Sequence, residues 1–237
     1  MRALILNSGV GSRMLDLTSN KCKCMVEVSD DLLLVDMQVR ALVKCGITDI
    51  IMTTGPFADE LEEHLCNKHP EVVFSLINNP LYDKTNYIYS IYLARDFLQE
   101  DILLLHGDLV FEESVLRDVL ASGDSVMVVD STKPLPEKDF KAVVKDNKVR
   151  HVSIDVFEDA YYAQPLYKLF KDDWFKWLDE IIRYCDDGKT NVYAENAFND
   201  VSNNMNVKAL DIKGRICFEI DDKHDLDKSK ELITLCL

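Results

Sequence analysis

Short apolar runs alternate with longer amphipathic stretches through residues 1–130, and few folds accommodate that rhythm. Arg2–Asn7, Asp49–Thr54, Val72–Ile77, Ile102–His106 and Ser125–Asp130 read as buried strands. Between them, Leu32–Cys45, Phe57–Lys68, Asn86–Gln99 and Glu112–Ala121 carry apolar residues at helical spacing. Gly46 follows the first of these helices and Pro70 the second, and both are good stops. Buried strands joined by crossover helices predict a largely parallel sheet with helices on its faces.

The rhythm changes after residue 130. Lys141–Lys145 and Lys148–Ile154 read as a hairpin across the turn pair Asp146-Asn147. Tyr161–Phe170 reads as a strand, and Trp174–Tyr184 as a helix with Asp172 or Asp173 as its cap. Val207–Ile212 and Ile216–Glu219 read as short strands, and Asp222–Leu235 as a closing helix. No repeat or low-complexity linker divides the chain. The expectation is one α/β domain over residues 1–237, a three-layer sandwich with a mostly parallel central sheet. Its first half is 1–130, and 131–237 returns to the same sheet.

Composition narrows the partners. The net charge of −15 disfavours phosphate backbones and anionic lipid, so neither nucleic acid nor membrane is expected. A small anion needs only a local basic pocket. Seven scattered cysteines without a CxxC pair read as reduced thiols of a cytoplasmic protein. Cys22-Lys23-Cys24 lacks the neighbours that would complete a metal site. The apolar run Ala3–Leu6 is too short for a signal peptide or a membrane span.

The first strand runs into Asn7-Ser8-Gly9-Val10-Gly11-Ser12-Arg13. A glycine turn after a buried strand leaves backbone N–H groups free to face phosphate oxygens. The dinucleotide fingerprint fails because Met14 stands where its third glycine would fall. A P-loop fails for want of Gly-Lys-Ser/Thr. What remains is a glycine pair with two cations, Arg13 and Lys23, suited to a triphosphate. A tight turn without a ligand is the plainer alternative.

Four further segments could carry chemistry. Asp108 closes the apolar run Leu103-Leu104-Leu105-His106-Gly107, at the strand end where open α/β sheets bind ligands. In Phe218-Glu219-Ile220-Asp221-Asp222, alternation points Glu219 and Asp221 to one face, where two carboxylates need water or a shared cation. The alternative is an acidic turn in which Asp221 or Asp222 caps the last helix. Asn78-Asn79-Pro80-Leu81-Tyr82 leads into Asn86 and Ser90, four apart on one helical face. Capping and aromatic packing would explain that segment equally well. Tyr193-Ala194-Glu195-Asn196-Ala197-Phe198 sets an acid between aromatics, a seat for a cationic head group or a plain surface helix. Trp174 and Trp177, three apart, read as core.

Together these segments resemble the sugar-nucleotidyltransferase superfamily, and within it the bacterial phosphocholine cytidylyltransferases. The superfamily opens with a strand, G-x-G-[ST]-R and a Pro-Lys pair; here Lys23 matches the lysine, Cys22 replaces the proline, and Asn7-Ser8 replaces two alanines. The resemblance implies a Rossmann-like nucleotidyltransferase fold that transfers CMP from CTP to a phosphocholine-like phosphate or phosphonate and releases pyrophosphate. It implies that Leu6, Asn7, Ser8, Gly9, Gly11, Ser12, Arg13 and Lys23 bind the nucleotide. Asp108 and Asp221 would hold Mg²⁺, and Asn78, Tyr82, Asn86, Ser90 and Glu195 would line the acceptor pocket. No tryptophan accompanies Asp139-Phe140, so an aminoalkyl phosphonate or an amino acid such as glutamine stays open as acceptor. Transfer to a sugar 1-phosphate is a further alternative, disfavoured by residues 78–92 and by a length that leaves no room for a left-handed helical tail. The other alternative is an inactive nucleotide-binding module, suggested by Cys22.

Overall fold

A computed structural model describes residues 1–9 and 21–236, with side chains through 232. Gly11, Ser12 and Arg13 therefore lie outside the described residues. The elements are β1 (Arg2–Asn7), β2 (Glu27–Ser29), β3 (Leu32–Leu33), α1 (Leu34–Lys44), β4 (Asp49–Thr54), α2 (Ala58–Lys68) and β5 (Val73–Asn78). Next come α3 (Tyr87–Ala94), β6 (Ile102–His106), β7 (Leu109–Phe111), α4 (Glu113–Ala121) and β8 (Val126–Asp130). The remainder comprises β9 (Lys141–Lys145), β10 (Lys148–Ser153), β11 (Ala160–Leu169), α5 (Lys171–Asp186), α6 (Ala194–Val201), β12 (Lys208–Asp211), β13 (Cys217–Glu219) and α7 (Lys223–Cys236).

Nine strands form one sheet in the order β5-β4-β1-β6-β11-β8-β12-β10-β9. β5, β4, β1 and β6 run parallel, as the crossover rhythm requires. Beyond β6 the sheet is mixed: β11 arrives late in the chain and inserts antiparallel between β6 and β8, while β12 runs parallel to β8. β9 also pairs with β11, so that end of the sheet folds back on itself.

Alternation along β1 divides the core between two faces. Ala3 and Ile5 pack with Val35, Val39 and Leu42 of α1, Leu61 and Leu65 of α2, and Val115, Leu116 and Val119 of α4. Leu4 and Leu6 pack on the opposite face with Ile88 and Ile91 of α3, Trp174 and Trp177 of α5, and Phe198 of α6. The result is the expected three-layer sandwich. Both tryptophans are fully buried, and their indole N–H groups donate to the Leu98 and Ala194 carbonyls.

Some boundaries differ from expectation for local reasons. α5 begins at Lys171, and neither Asp172 nor Asp173 caps it. Asp173 instead accepts hydrogen bonds from Ser125 Oγ and the Asn206 amide, tying the helix start to β8 and to the segment before β12. Asp222 does cap α7, accepting from the Asp225 amide at 3.1 Å, which leaves Asp221 to face inward. No described helix is long and apolar enough to cross a membrane.

Candidate active site

The parallel strands deliver their carboxyl ends to one edge of the sheet. β1 ends at Asn7, β4 at Thr54, β5 at Asn78 and β6 at His106. β1 and β6 are neighbours, and the Gly107 amide donates to the Leu6 carbonyl. Gln38, wholly buried on α1, donates to the carbonyls of His106 and Leu109 and so pins the turn that carries Asp108. β13 pairs antiparallel with β7, and the Ile220 amide donates to the Asp108 carbonyl. That pairing sets Glu219 and Asp221 beside Asp108.

Glycines make room for the loop after β1. A Cβ on Gly55 would lie 2.4 Å from the Ser8 carbonyl oxygen, and one on Gly107 would lie 2.8 Å from Asn7 Oδ1. Gly55→Ala must therefore displace backbone. It is expected to lower the melting temperature by about 3–9 °C, from about 1–3 kcal/mol of overpacking in a chain of this size. A melting curve within about a degree of wild type would show that the loop yields freely.

Lys23 lies at the centre of the site. Its Nζ donates to Asp108 Oδ2 at 2.7 Å and to Asp221 Oδ1 at 3.0 Å. Burial opposes its charge, but the two carboxylates prevail and raise its pKa. Burial likewise opposes charge on Asp108, yet Lys23 and His106 hold its pKa below the usual carboxylate range. Asp108 Oδ1 is buried and has no hydrogen-bond partner among the described residues. Cys22 adopts φ −59° and ψ 147°, the backbone a proline would take, and its thiol donates to the Pro56 and Phe57 carbonyls. The replacement of proline therefore leaves the lysine's setting intact.

His106 stands beside the acids. Its Nδ1 lies 2.8 Å from Glu219 Oε1, while Nε2 is buried and unpartnered among the described residues. Ligand atoms of His106, Asp108 and Glu219 lie within 4.8 Å of one another. Burial disfavours the imidazolium, but Glu219, Asp108 and Glu195 together lift its pKa to about 9. Burial and Asp108 push Glu219 up to about 7. A histidine raised on folding contributes stability that is full below its unfolded value, about 6.5, and is lost as pH rises through the folded value. The stability gap between wild type and His106→Gln is therefore expected to narrow from pH 6.5 to pH 9 in unfolding experiments without divalent ions. A gap that widens across that range would refute the imidazolium.

Two adjoining cavities open at this edge. Gly9, Asn86, Tyr87, His106 and Asp108 line both. The smaller, about 270 Å³, is also lined by Leu6, Ser8, Asn79, Tyr82, Thr85 and Ser90. Asn79 donates to Ser90 Oγ at 3.0 Å, and Ser90 Oγ donates to Ser8 Oγ at 2.9 Å, which links α3 to the loop after β1. Asn86 caps α3 by accepting from the Tyr87 amide. The larger cavity, about 340 Å³, is also lined by Lys23, Asp221, Glu219, Lys138, Asp139, Phe140, Ile154 and Tyr193.

Several expected residues are placed differently. Asn78 is exposed at the end of β5 and lines neither cavity; the buried Asn79 takes the inward position, because successive strand residues face opposite ways. Tyr82 and Ser90 line the smaller cavity with Leu6 and Ser8, away from Lys138 and Tyr193. Asn7 is buried and packs against Gly107 without lining either cavity. Glu195 does not line them either. It is buried and accepts the hydroxyls of Tyr87 and Tyr167, so it supports the Tyr87 wall from behind. Tyr87 in turn packs edge-on against His106, with centroids 4.9 Å apart.

His106, Tyr87, Lys138 and Tyr193 were not among the residues expected from sequence. His106, closing the β6 run two residues before Asp108, and Tyr193, an aromatic flanking Glu195, carried a usable signal.

The chain belongs to the nucleotidyl transferase family, whose model matches residues 2–179. It is similar to CTP:phosphoglutamine cytidylyltransferase from Campylobacter jejuni, at 29% identity over 96% of this chain and 98% of that one. It is 26% identical to choline-phosphate cytidylyltransferase from Streptococcus pneumoniae over 98% of both chains. A solved structure of CTP:phosphocholine cytidylyltransferase from Streptococcus pneumoniae shares its fold, with a TM-score of 0.80 and 23% identity over 98% of both chains.

Proposed function

We propose that this protein transfers CMP from CTP to a small amine-bearing phosphate or phosphonate and releases pyrophosphate. The observation that carries this reading is the Lys23 ammonium held between Asp108 and Asp221, on the wall of the larger of two adjoining cavities. The smaller cavity suits the nucleoside, with Leu6, Ser8, Gly9, Asn79, Tyr82 and Ser90 around it. The larger suits the acceptor, with Asn86 and Tyr87 at the junction.

The residues also fit Mg²⁺. Asp108 Oδ1 is a buried acceptor without a donor among the described residues, and the Lys23 ammonium already occupies a cation's place between two carboxylates. Hard oxygen ligands are what Mg²⁺ takes. Asp108 and Asp221 would hold the ion, which when bound supplies charge neutralisation at the phosphates.

The residues themselves align and neutralise. The Gly9 turn and Lys23 hold the triphosphate, with Arg13 and Gly11-Ser12 as further donors on the same loop. An acceptor phosphate oxygen bonds to the α-phosphorus as the bond to the bridging oxygen breaks, and pyrophosphate takes the electron pair. A phosphate monoester is largely ionised near neutral pH, with a second pKa of about 6, so no dedicated base is required. Orientation and charge then supply the rate. Free thiols at Cys22, Cys24, Cys45, Cys66, Cys185 and Cys217 suit a reducing cytoplasm, where CTP is available.

The test is Mg²⁺-dependent pyrophosphate release from CTP across a panel of acceptors. Release with amine-bearing phosphates or phosphonates is expected. Release with sugar phosphates alone would sink the choice of acceptor, and CTP binding with no release would indicate an inactive module.

A further inference from the structure

His106 brings a nitrogen ligand to a site otherwise built from carboxylates. Ligand atoms of His106, Asp108 and Glu219 lie within 4.8 Å of one another. Ligands bound to one first-row divalent ion stand about 3–4 Å apart, so small side-chain shifts bring all three onto an ion. The three rest on paired backbone. His106 ends β6, which pairs with β1, and Glu219 lies opposite Leu109 where β13 pairs with β7. Gln38 holds the turn between them through the carbonyls of His106 and Leu109.

Two polar atoms in this group are unspent. Lys23 takes Asp108 Oδ2 and Asp221 Oδ1. Asp108 Oδ1 and His106 Nε2 are buried and have no hydrogen-bond partner among the described residues. Each such atom costs about 1–3 kcal/mol. His106 is only 9% exposed, yet it lines both cavities, so an ion entering from either can reach it.

The ligand types select the ion. Asp108 and Asp221 alone offer oxygen, which suits Mg²⁺. Imidazole is a ligand of first-row transition metals, and Mn²⁺ is the member of that series that also accepts carboxylates readily. We infer that His106, Asp108 and Glu219 form a second divalent-cation site, ligated through nitrogen and selective for Mn²⁺ over Mg²⁺, with Asp108 shared between it and the Asp108–Asp221 pair. The imidazole binds metal only as a neutral ring. The ion therefore displaces the proton held between His106 and Glu219 and releases it to solvent.

The test is electron spin-echo envelope modulation on the full-length protein with one equivalent of Mn²⁺, without nucleotide and with Mg²⁺ in excess. Modulation from a directly bound ¹⁴N nucleus is expected in wild type and in Asp221→Asn, and its loss in His106→Gln. Titration of Mn²⁺ followed by the signal of the free ion should show His106→Gln and Glu219→Gln each binding on the order of tenfold more weakly or worse. Circular dichroism identifies a variant that has not folded, and Glu219→Gln, which keeps the imidazole, then decides by affinity. No bound Mn²⁺, bound Mn²⁺ without nitrogen modulation, or modulation that survives His106→Gln overturns the site. Pyrophosphate release from CTP is read separately. Nitrogen-ligated Mn²⁺ without release from any acceptor defeats only the transfer, and release without nitrogen-ligated Mn²⁺ defeats only this site.

Discussion

Asp108→Asn and Asp221→Asn are each expected to slow CTP-dependent pyrophosphate release on the order of 10²–10³-fold, the equivalent of several kcal/mol of transition-state stabilisation. Each substitution preserves shape and removes one of the two anionic ligands proposed for Mg²⁺. Lys23 keeps one carboxylate partner in either variant, because Asp108 and Asp221 hold it through separate hydrogen bonds. The Asp108 carbonyl, which accepts from the Ile220 amide, is untouched. Circular dichroism and melting temperature should therefore stay close to wild type while turnover collapses. Near-normal turnover in either variant would remove that residue from the metal-holding pair.

Lys23→Met separates two roles of one side chain. Turnover is expected to fall on the order of 10²-fold or more, since a charged donor to the triphosphate is lost. The effect on the unliganded protein should be as informative. With the ammonium gone, the Asp108 and Asp221 carboxylates face each other without their shared cation. Both side chains keep some contact with solvent, so a moderate loss of about 2 kcal/mol is expected, a melting temperature roughly 5 °C lower in chelator. Added Mg²⁺ should then raise the melting temperature of the variant more than that of wild type, because the lysine no longer competes for the site. An identical Mg²⁺ response in both proteins would mean that the ion binds elsewhere.

The architecture was legible because a buried parallel strand and its crossover helix leave a strong periodic trace. Arg2–Asn7, Asp49–Thr54, Ile102–His106 and Lys141–Lys145 occur at the boundaries read from the sequence. β7 was not read as a separate element, and α6 only as the alternative of a surface helix around Tyr193–Phe198. β7 is three residues long and is defined by its pairing with β13, more than a hundred residues away, which no local pattern reports. The inward pair Glu219 and Asp221 was legible, since strand alternation is a two-residue rule. The role of Glu195 was not. Flanking aromatics suggested an open seat for a cation, whereas Tyr87 and Tyr167 reach it from two other elements and bury it. Asn78 and Asn79 show the same limit at one-residue scale: both amides fit the chemistry, and only the strand's exit angle decides which turns inward. That Lys138 and Asp139 line the larger cavity depends on how the segment before β9 is placed, which no local pattern reports.

Lys23 and Asp221 lie 198 positions apart, and their ion pair links the segment after β1 to the one after β13. During synthesis from the N-terminus, the strands that frame the smaller cavity can pair early, while Asp221 waits for the last strand to dock on β7. A chain interrupted before residue 217 would thus contain Lys23 and Asp108 but not Asp221. On the proposed assignment of Asp108 and Asp221 to Mg²⁺, nascent and truncated chains that lack Asp221 should be unable to consume CTP.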